Sequence, residues 1–126
     1  MINEINRPSE QFTRSSRLLN AAEYAYVFAR AQKQSNQHFT LLCRKNNLDI
    51  ARLGLAIAKK QLRLAVSRNR IKRLIRESFR VNQELLVGLD IIVLTRTSVL
   101  KCTNNEIFTQ LEQQWQQLVA RCKKSS

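Results

Sequence analysis

The stretch SRNRIKRLIRESFR, residues 67–80, places six Lys or Arg residues in fourteen positions. Like charges at helical spacing repel one another and weaken an isolated helix, so these cations call for anions from outside the chain. Five of the six are arginine, whose planar fork grips a phosphate or a guanine edge through two parallel hydrogen bonds where lysine offers a point charge. Asn69, between Arg68 and Arg70, adds an amide that both donates and accepts. Laid out at about 100° per residue, Ile71, Leu74, Ile75, Ser78 and Phe79 gather on one side, opposite Asn69, Lys72, Arg73, Arg76 and Arg80. One face is built for a core and the other for phosphates, each contact releasing condensed counterions. The competing reading is a solvated charge run, but only Glu77 offsets the six cations.

The rest of the composition narrows the partner. The chain has 126 residues, with 22 Lys and Arg against nine Asp and Glu, a formal net charge of +13. That excess on one small domain attracts polyanions, nucleic acid first. A hydrophobic fraction of 44% with two Gly and one Pro describes a compact fold large enough to bury a core without staples. An anionic membrane surface would exploit the same charge, yet no apolar run approaches the roughly 20 residues of a spanning helix and no signal-peptide core opens the chain, so the expected location is cytoplasmic. Cys43, Cys102 and Cys122 are widely spaced and never form C-x-x-C; they read as small packing residues rather than a disulfide frame or zinc site. His38 is the sole histidine, and the nine acids form no cluster in sequence, which disfavours a protein-borne metal or acid–base nuclease centre.

These side chains need elements to hold them. Residues 1–16 are polar and unpatterned and read as a flexible arm, and residues 122–126 as a disordered tail. Asn20 with Glu23 forms a capping box for a first helix carrying Tyr24, Val27, Phe28 and Ala31 on one stripe, and the polar residues 33–38 end it. Residues 39–44 and 52–58 read as strands, and Asn46-Asn47 between them predicts an antiparallel hairpin. Leu53, Leu55 and Ile57 point to one face of the second strand; Gly54, Ala56 and Ala58 leave the other open to close approach. A loop over 59–67 precedes the basic helix. The apolar run over 89–96 predicts a strand buried on both faces. A last helix over 103–121 starts from a Thr103–Glu106 capping box and carries Ile107, Leu111, Trp115, Leu118 and Cys122 as its apolar stripe. The order α-β-β-(β)-α-β-α describes an α+β protein, a single-domain two-layer α/β sandwich.

The wording of the basic helix, Arg68-Asn69-Arg70 followed by Ile71-Lys72-Arg73-Leu74 and Ile75-Arg76-Glu77-Ser78-Phe79-Arg80, closely resembles the signature of the bacterial ribonuclease P protein subunit. Phe12-Thr13-Arg14 and Arg17-Leu18-Leu19 resemble that family's entry to its first helix, Tyr24 and Val27-Phe28 its aromatic pair, and Leu53-Gly54-Leu55 with Ala58-Lys59-Lys60 its central strand. The resemblance implies an accessory protein of a catalytic RNA, in a holoenzyme that removes the 5′ leader of precursor tRNA by hydrolysing one phosphodiester bond. It implies that magnesium ions held mainly by the RNA do the chemistry, with none bound tightly by the protein and no catalytic residue in this chain. It also implies a left-handed β-α-β crossover, against the general rule of the right hand, in a fold named for the second domain of a small-subunit ribosomal protein. Two surfaces follow from it. Arg68, Asn69, Arg70, Lys72, Arg73 and Arg76 face the catalytic RNA, with the arginine heads outside the core. Arg14, Arg17, Tyr24, Phe28, Phe39, Lys59 and Lys60 form a cleft for the single-stranded leader.

The residues of that cleft suit the role, since single strands bind where cations track the backbone and aromatic rings receive unstacked bases. Tyr24 and Phe28 lie one helical turn apart, and such a pair also reads as core; both readings stay open for Phe28. Two departures from the family pattern stand out. Leu42 falls where some members carry another aromatic, and Leu62-Arg63-Leu64 replaces a glycine before the basic helix, leaving the path of that loop undefined. A ribosomal-type RNA-binding protein and a self-sufficient protein nuclease are the rival readings.

Overall fold

The computed structural model describes residues 21–124. Helix α1 (Ala21–Arg30) leads into β1 (Gln32–Ser35), β2 (Phe39–Lys45) and β3 (Arg52–Ala56); α2 (Ala65–Val81) is followed by β4 (Leu89–Thr95), a 3₁₀ turn (Thr97–Lys101) and α3 (Asn104–Lys124). The strands form one sheet in the order β1-β2-β4-β3, antiparallel except for the parallel β3–β4 pair. The connection between these two parallel strands is α2, the expected β-α-β crossover.

Strand β4 takes the centre because its side chains are buried on both faces except for the half-buried Leu94. Its position corrects the predicted hairpin: β2 and β3 run in opposite directions but each pairs with β4, which lies between them. Asn47 does adopt the left-handed backbone (φ 59°). The loop it belongs to is organised by Asn46, whose side chain accepts from the Leu48 N–H at 2.7 Å and donates to Asp90 at 2.9 Å.

Alternation along the strands splits the interior in two. Phe39, Leu41, Cys43, Leu53, Ile91 and Val93 face α2 and α3, where they meet Ile71, Ile75, Phe79, Leu111 and Trp115 in the main core. The buried residues of α2 are those of the predicted stripe, Ile71, Leu74, Ile75, Ser78 and Phe79. The Trp115 Nε1–H donates to Ser78 Oγ at 2.9 Å, and its ring meets Phe79 edge-on. On the opposite face, Val27 of α1 and Ile92 centre a smaller cluster with Tyr24, Ala31, Leu42, Ala56 and Leu94 around them.

Element ends differ from expectation where the signal is polar. Residues 32–35 form an edge strand because Gln34 buries its amide against Gln114, donating to its carbonyl O and Oε1 at 2.9 and 2.8 Å; a glutamine pair leaves no apolar alternation to read. Helix α2 begins at Ala65, earlier than expected, and α3 runs on through the buried Cys122 to Lys124, within the segment read as a disordered tail. The Thr103–Glu106 box forms in both directions, at 2.8 and 3.1 Å. Asn20 and the arm over 1–16 lie outside the described residues.

Candidate RNA interface

Because α2 seats its apolar stripe on the sheet, the opposite stripe must face outward. Asn69, Arg73 and Arg76 are exposed, and Arg68, Arg70 and Lys72 are half-buried. No ion pair to Lys72, Arg73 or Arg76 forms among the described residues. Glu77, the sole acid of the helix, is held by Arg80 on the same helix, and the hydrogen bond from Arg80 keeps its carboxyl below the ordinary glutamate value.

Arg68 and Arg70 each also bind a neighbouring segment of the chain. The Arg68 guanidinium donates to the Leu62 and Arg63 carbonyls at 2.8 and 3.0 Å, and this defines the loop path that the missing glycine left open. Arg70 donates to Asn104 Oδ1 at 3.0 Å and to the Cys102 carbonyl at 2.8 Å, joining α2 to the start of α3. Each arginine keeps further N–H groups for an outside anion, but each also fastens the surface on which it sits.

Strand direction gathers more cations at this end of the molecule. Lys59 and Lys60 follow the C-terminal end of β3, and Arg96 and Lys101 follow that of β4; all four are exposed. Since β3 and β4 are parallel, these groups and the start of α2 share one end of the sheet, where Thr97 Oγ1 bonds Gln61 across the two loops. Arg96 and Lys101 carried no signal in the sequence, being isolated cations in the connection between β4 and α3.

The second candidate surface lies between α1 and the sheet. Tyr24 and Phe28 stack with centroids 6.4 Å apart and planes 23° from parallel. Tyr24 is fixed: its hydroxyl accepts from the Leu55 N–H at 3.0 Å and donates to the Leu55 carbonyl at 3.2 Å. Its ring occupies the space above Gly54, where an added Cβ would lie 2.8 Å from it. The small-residue face of β3 thus admits a side chain of the same protein. Phe28 is 50% exposed, and the sheet face beneath α1 carries Leu42, Ala56 and Leu94, which are only half-buried. Phe39 is a correction: it is fully buried in the main core, because the strand's alternation sends it with Leu41 and Cys43 toward α2 and α3. Arg14 and Arg17 lie outside the described residues.

On the far side of α1, the sequence reading missed a pair. Tyr26 is 52% exposed, and the Arg44 guanidinium lies over its ring 3.9 Å from the centroid and donates to its hydroxyl. The only available signal was a tyrosine off the apolar stripe. Nearby, Arg52 bridges Glu23 (2.5 Å) and Asp90 (2.8 Å), tying α1 to β3 and β4. Among the described residues no three His, Cys, Asp or Glu stand close enough together to hold a metal ion. No helix among them is long and apolar enough to cross a membrane.

The sequence profile of the family described as Ribonuclease P matches residues 12–119. The "Ribonuclease P protein component" of Nitrosococcus oceani is 42% identical over 114 residues, covering 90% of this chain and 96% of that protein. The protein of the same name from Pseudomonas aeruginosa is 47% identical over 112 residues, covering 88% and 83%. The solved structure of the Staphylococcus aureus RNase P protein superposes with a TM-score of 0.71 at 34% identity, covering 77% of this chain and 89% of that one. With the basic helix, the parallel crossover and this extent of likeness together, the chain belongs to the ribonuclease P protein family.

Proposed function

We propose that this chain is the protein component of a ribonuclease P holoenzyme, assisting a catalytic RNA in removing the 5′ leader of precursor tRNA. The observation that carries this reading is the outward stripe Asn69, Lys72, Arg73 and Arg76, unopposed by acids on a helix whose other face is sealed in the core. It takes the phosphates of the folded RNA subunit, and Arg68 and Arg70 hold the adjoining loops in register beneath it. The leader lies between α1 and the open sheet face, with Phe28 as the stacking ring, Leu42, Ala56 and Leu94 as the apolar floor, and Lys59 and Lys60 toward its phosphates. Tyr24 positions that ring rather than receiving a base, because its own hydroxyl is committed to Leu55.

Hydrolysis of the phosphodiester then falls to the RNA and the magnesium ions it holds. The protein contributes positioning: holding the leader fixes the scissile phosphate relative to the RNA and removes part of the entropic cost of reaction. Reconstitution with the cognate RNA subunit at low magnesium tests this. Added protein is expected to restore precursor cleavage, whereas protein alone is expected to cut nothing. Cleavage by the protein without RNA, or no stimulation of the RNA, would overturn the reading.

A further inference from the structure

The flank of α1 turned away from the leader cleft carries its own cationic and aromatic groups, and the function proposed above does not use them. Tyr26 and Arg30 lie one helical turn apart, so they project from the same side of α1. Arg44 and Lys45 come from the end of β2. Arg30, Gln32, Cys43, Arg44, Lys45, Asn47 and Cys122 line a cleft of about 280 Å³ with no carboxylate in its wall. The nearest acids of α1 and β4, Glu23 and Asp90, are both engaged by Arg52. The Arg44 Nε–H is buried and meets no acceptor among the described residues, an unused donor within this positive cluster.

We propose that this flank is a second RNA-binding surface, at which Arg30, Arg44 and Lys45 take phosphates and the Tyr26–Arg44 pair receives an unpaired base. The inference rests on the reading that RNA is the ligand of this protein. An aromatic ring overlaid by a guanidinium offers two flat faces of the kind on which unstacked RNA bases settle. An anionic lipid surface would match the charge but has no use for a planar stack. The surface is separate from the one on α2. Arg44 and Lys45 pair with Asp90 and Leu89 at the start of β4, so the length of that strand, roughly 20 Å, separates them from the loops at its other end. A single RNA touching both must wrap the protein, or two RNAs divide the surfaces between them.

Salt dependence separates these cases. The full chain with Arg30→Gln, Arg44→Gln and Lys45→Gln combined is compared with wild type in two equilibria: assembly with the catalytic RNA, and binding of precursor tRNA by the assembled holoenzyme. Each lost phosphate contact lowers the slope of log K against log salt by about 0.7–0.9, so a fall of about 2–3 is expected in one of the two, and which one falls identifies the RNA. Tyr26→Ala is expected to weaken the same equilibrium several-fold with little change of slope. If the triple variant does not fold, the Arg30→Gln and Tyr26→Ala variants, both at exposed positions, carry the test. Unchanged slopes and affinities in both equilibria would overturn the proposal, as would loss of binding to anionic phospholipid vesicles alone. An Arg73→Ala control that still lowers the assembly slope would show that the function proposed above survives that failure.

Discussion

Gly54 allows the Tyr24 ring to lie against the sheet, and replacing it separates the two candidate surfaces. In Gly54→Ala the new Cβ would stand 2.8–2.9 Å from the Tyr24 Cζ, Oη and Cε1 atoms, closer than real contacts allow. The ring cannot simply swing away, because its hydroxyl is bonded in both directions to the Leu55 backbone. Overpacking of this kind costs about 1–3 kcal/mol, and displacing the ring forfeits two hydrogen bonds of about 1 kcal/mol each. Against this, alanine restricts the unfolded chain and returns about 0.4–1 kcal/mol. The net expectation is a loss of about 2–4.5 kcal/mol, read as a shift in the urea midpoint at unchanged m. The decisive assay is a double-mutant cycle: in a Tyr24→Ala background the obstruction is gone, so Gly54→Ala becomes nearly neutral. In the holoenzyme, Gly54→Ala is expected to reduce discrimination between precursor and mature tRNA and to leave assembly with the RNA intact, since α2 packs on the opposite face of the sheet. Additive costs in the cycle would refute the argument that Tyr24 is what Gly54 accommodates.

Further expectations concern the core, the basic helix and pH. Trp115→Ala empties a fully buried site, breaks the bond to Ser78 and is expected to cost about 3–5 kcal/mol in urea unfolding. Arg70→Ala loses its bonds to Asn104 and Cys102 and is expected to cost about 1–2 kcal/mol as well as weakening RNA assembly; Arg76→Ala, at an exposed position, is expected to weaken assembly with stability unchanged within about 0.5 kcal/mol. Glu77 is held below its ordinary value by Arg80, so its contribution is present above the unfolded-state value and lost as pH falls through the lower folded one. Because the pair lies at the surface, with Arg80 27% and Glu77 48% exposed, Glu77→Gln is expected to cost at most about 0.5 kcal/mol at neutral pH and nothing at a pH below both values, compared by urea unfolding at each.

The sequence by itself determined what periodicity encodes. The division of α2 into a core stripe and a cationic stripe, the burial of β4 on both sides, the Thr103–Glu106 box and the apolar stripe of α3 are local patterns, and each element buries what its own pattern offers. Which elements become neighbours is a long-range matter, and the tertiary structure decided it. A hairpin between β2 and β3 satisfies every local rule, yet β4, apolar on both faces, gains more by lying between them under helices on both sides. That choice sends Phe39 into the main core, aligns the ends of β3 and β4 so that scattered lysines and arginines share one edge, and brings Arg44 over Tyr26. Arg68 and Arg70 show the same limit. Their spacing marked them as cations on a helix, but the carbonyls they bind come from the preceding loop and from a segment 32 residues further along the chain, and no periodicity within the helix reports on partners that distant.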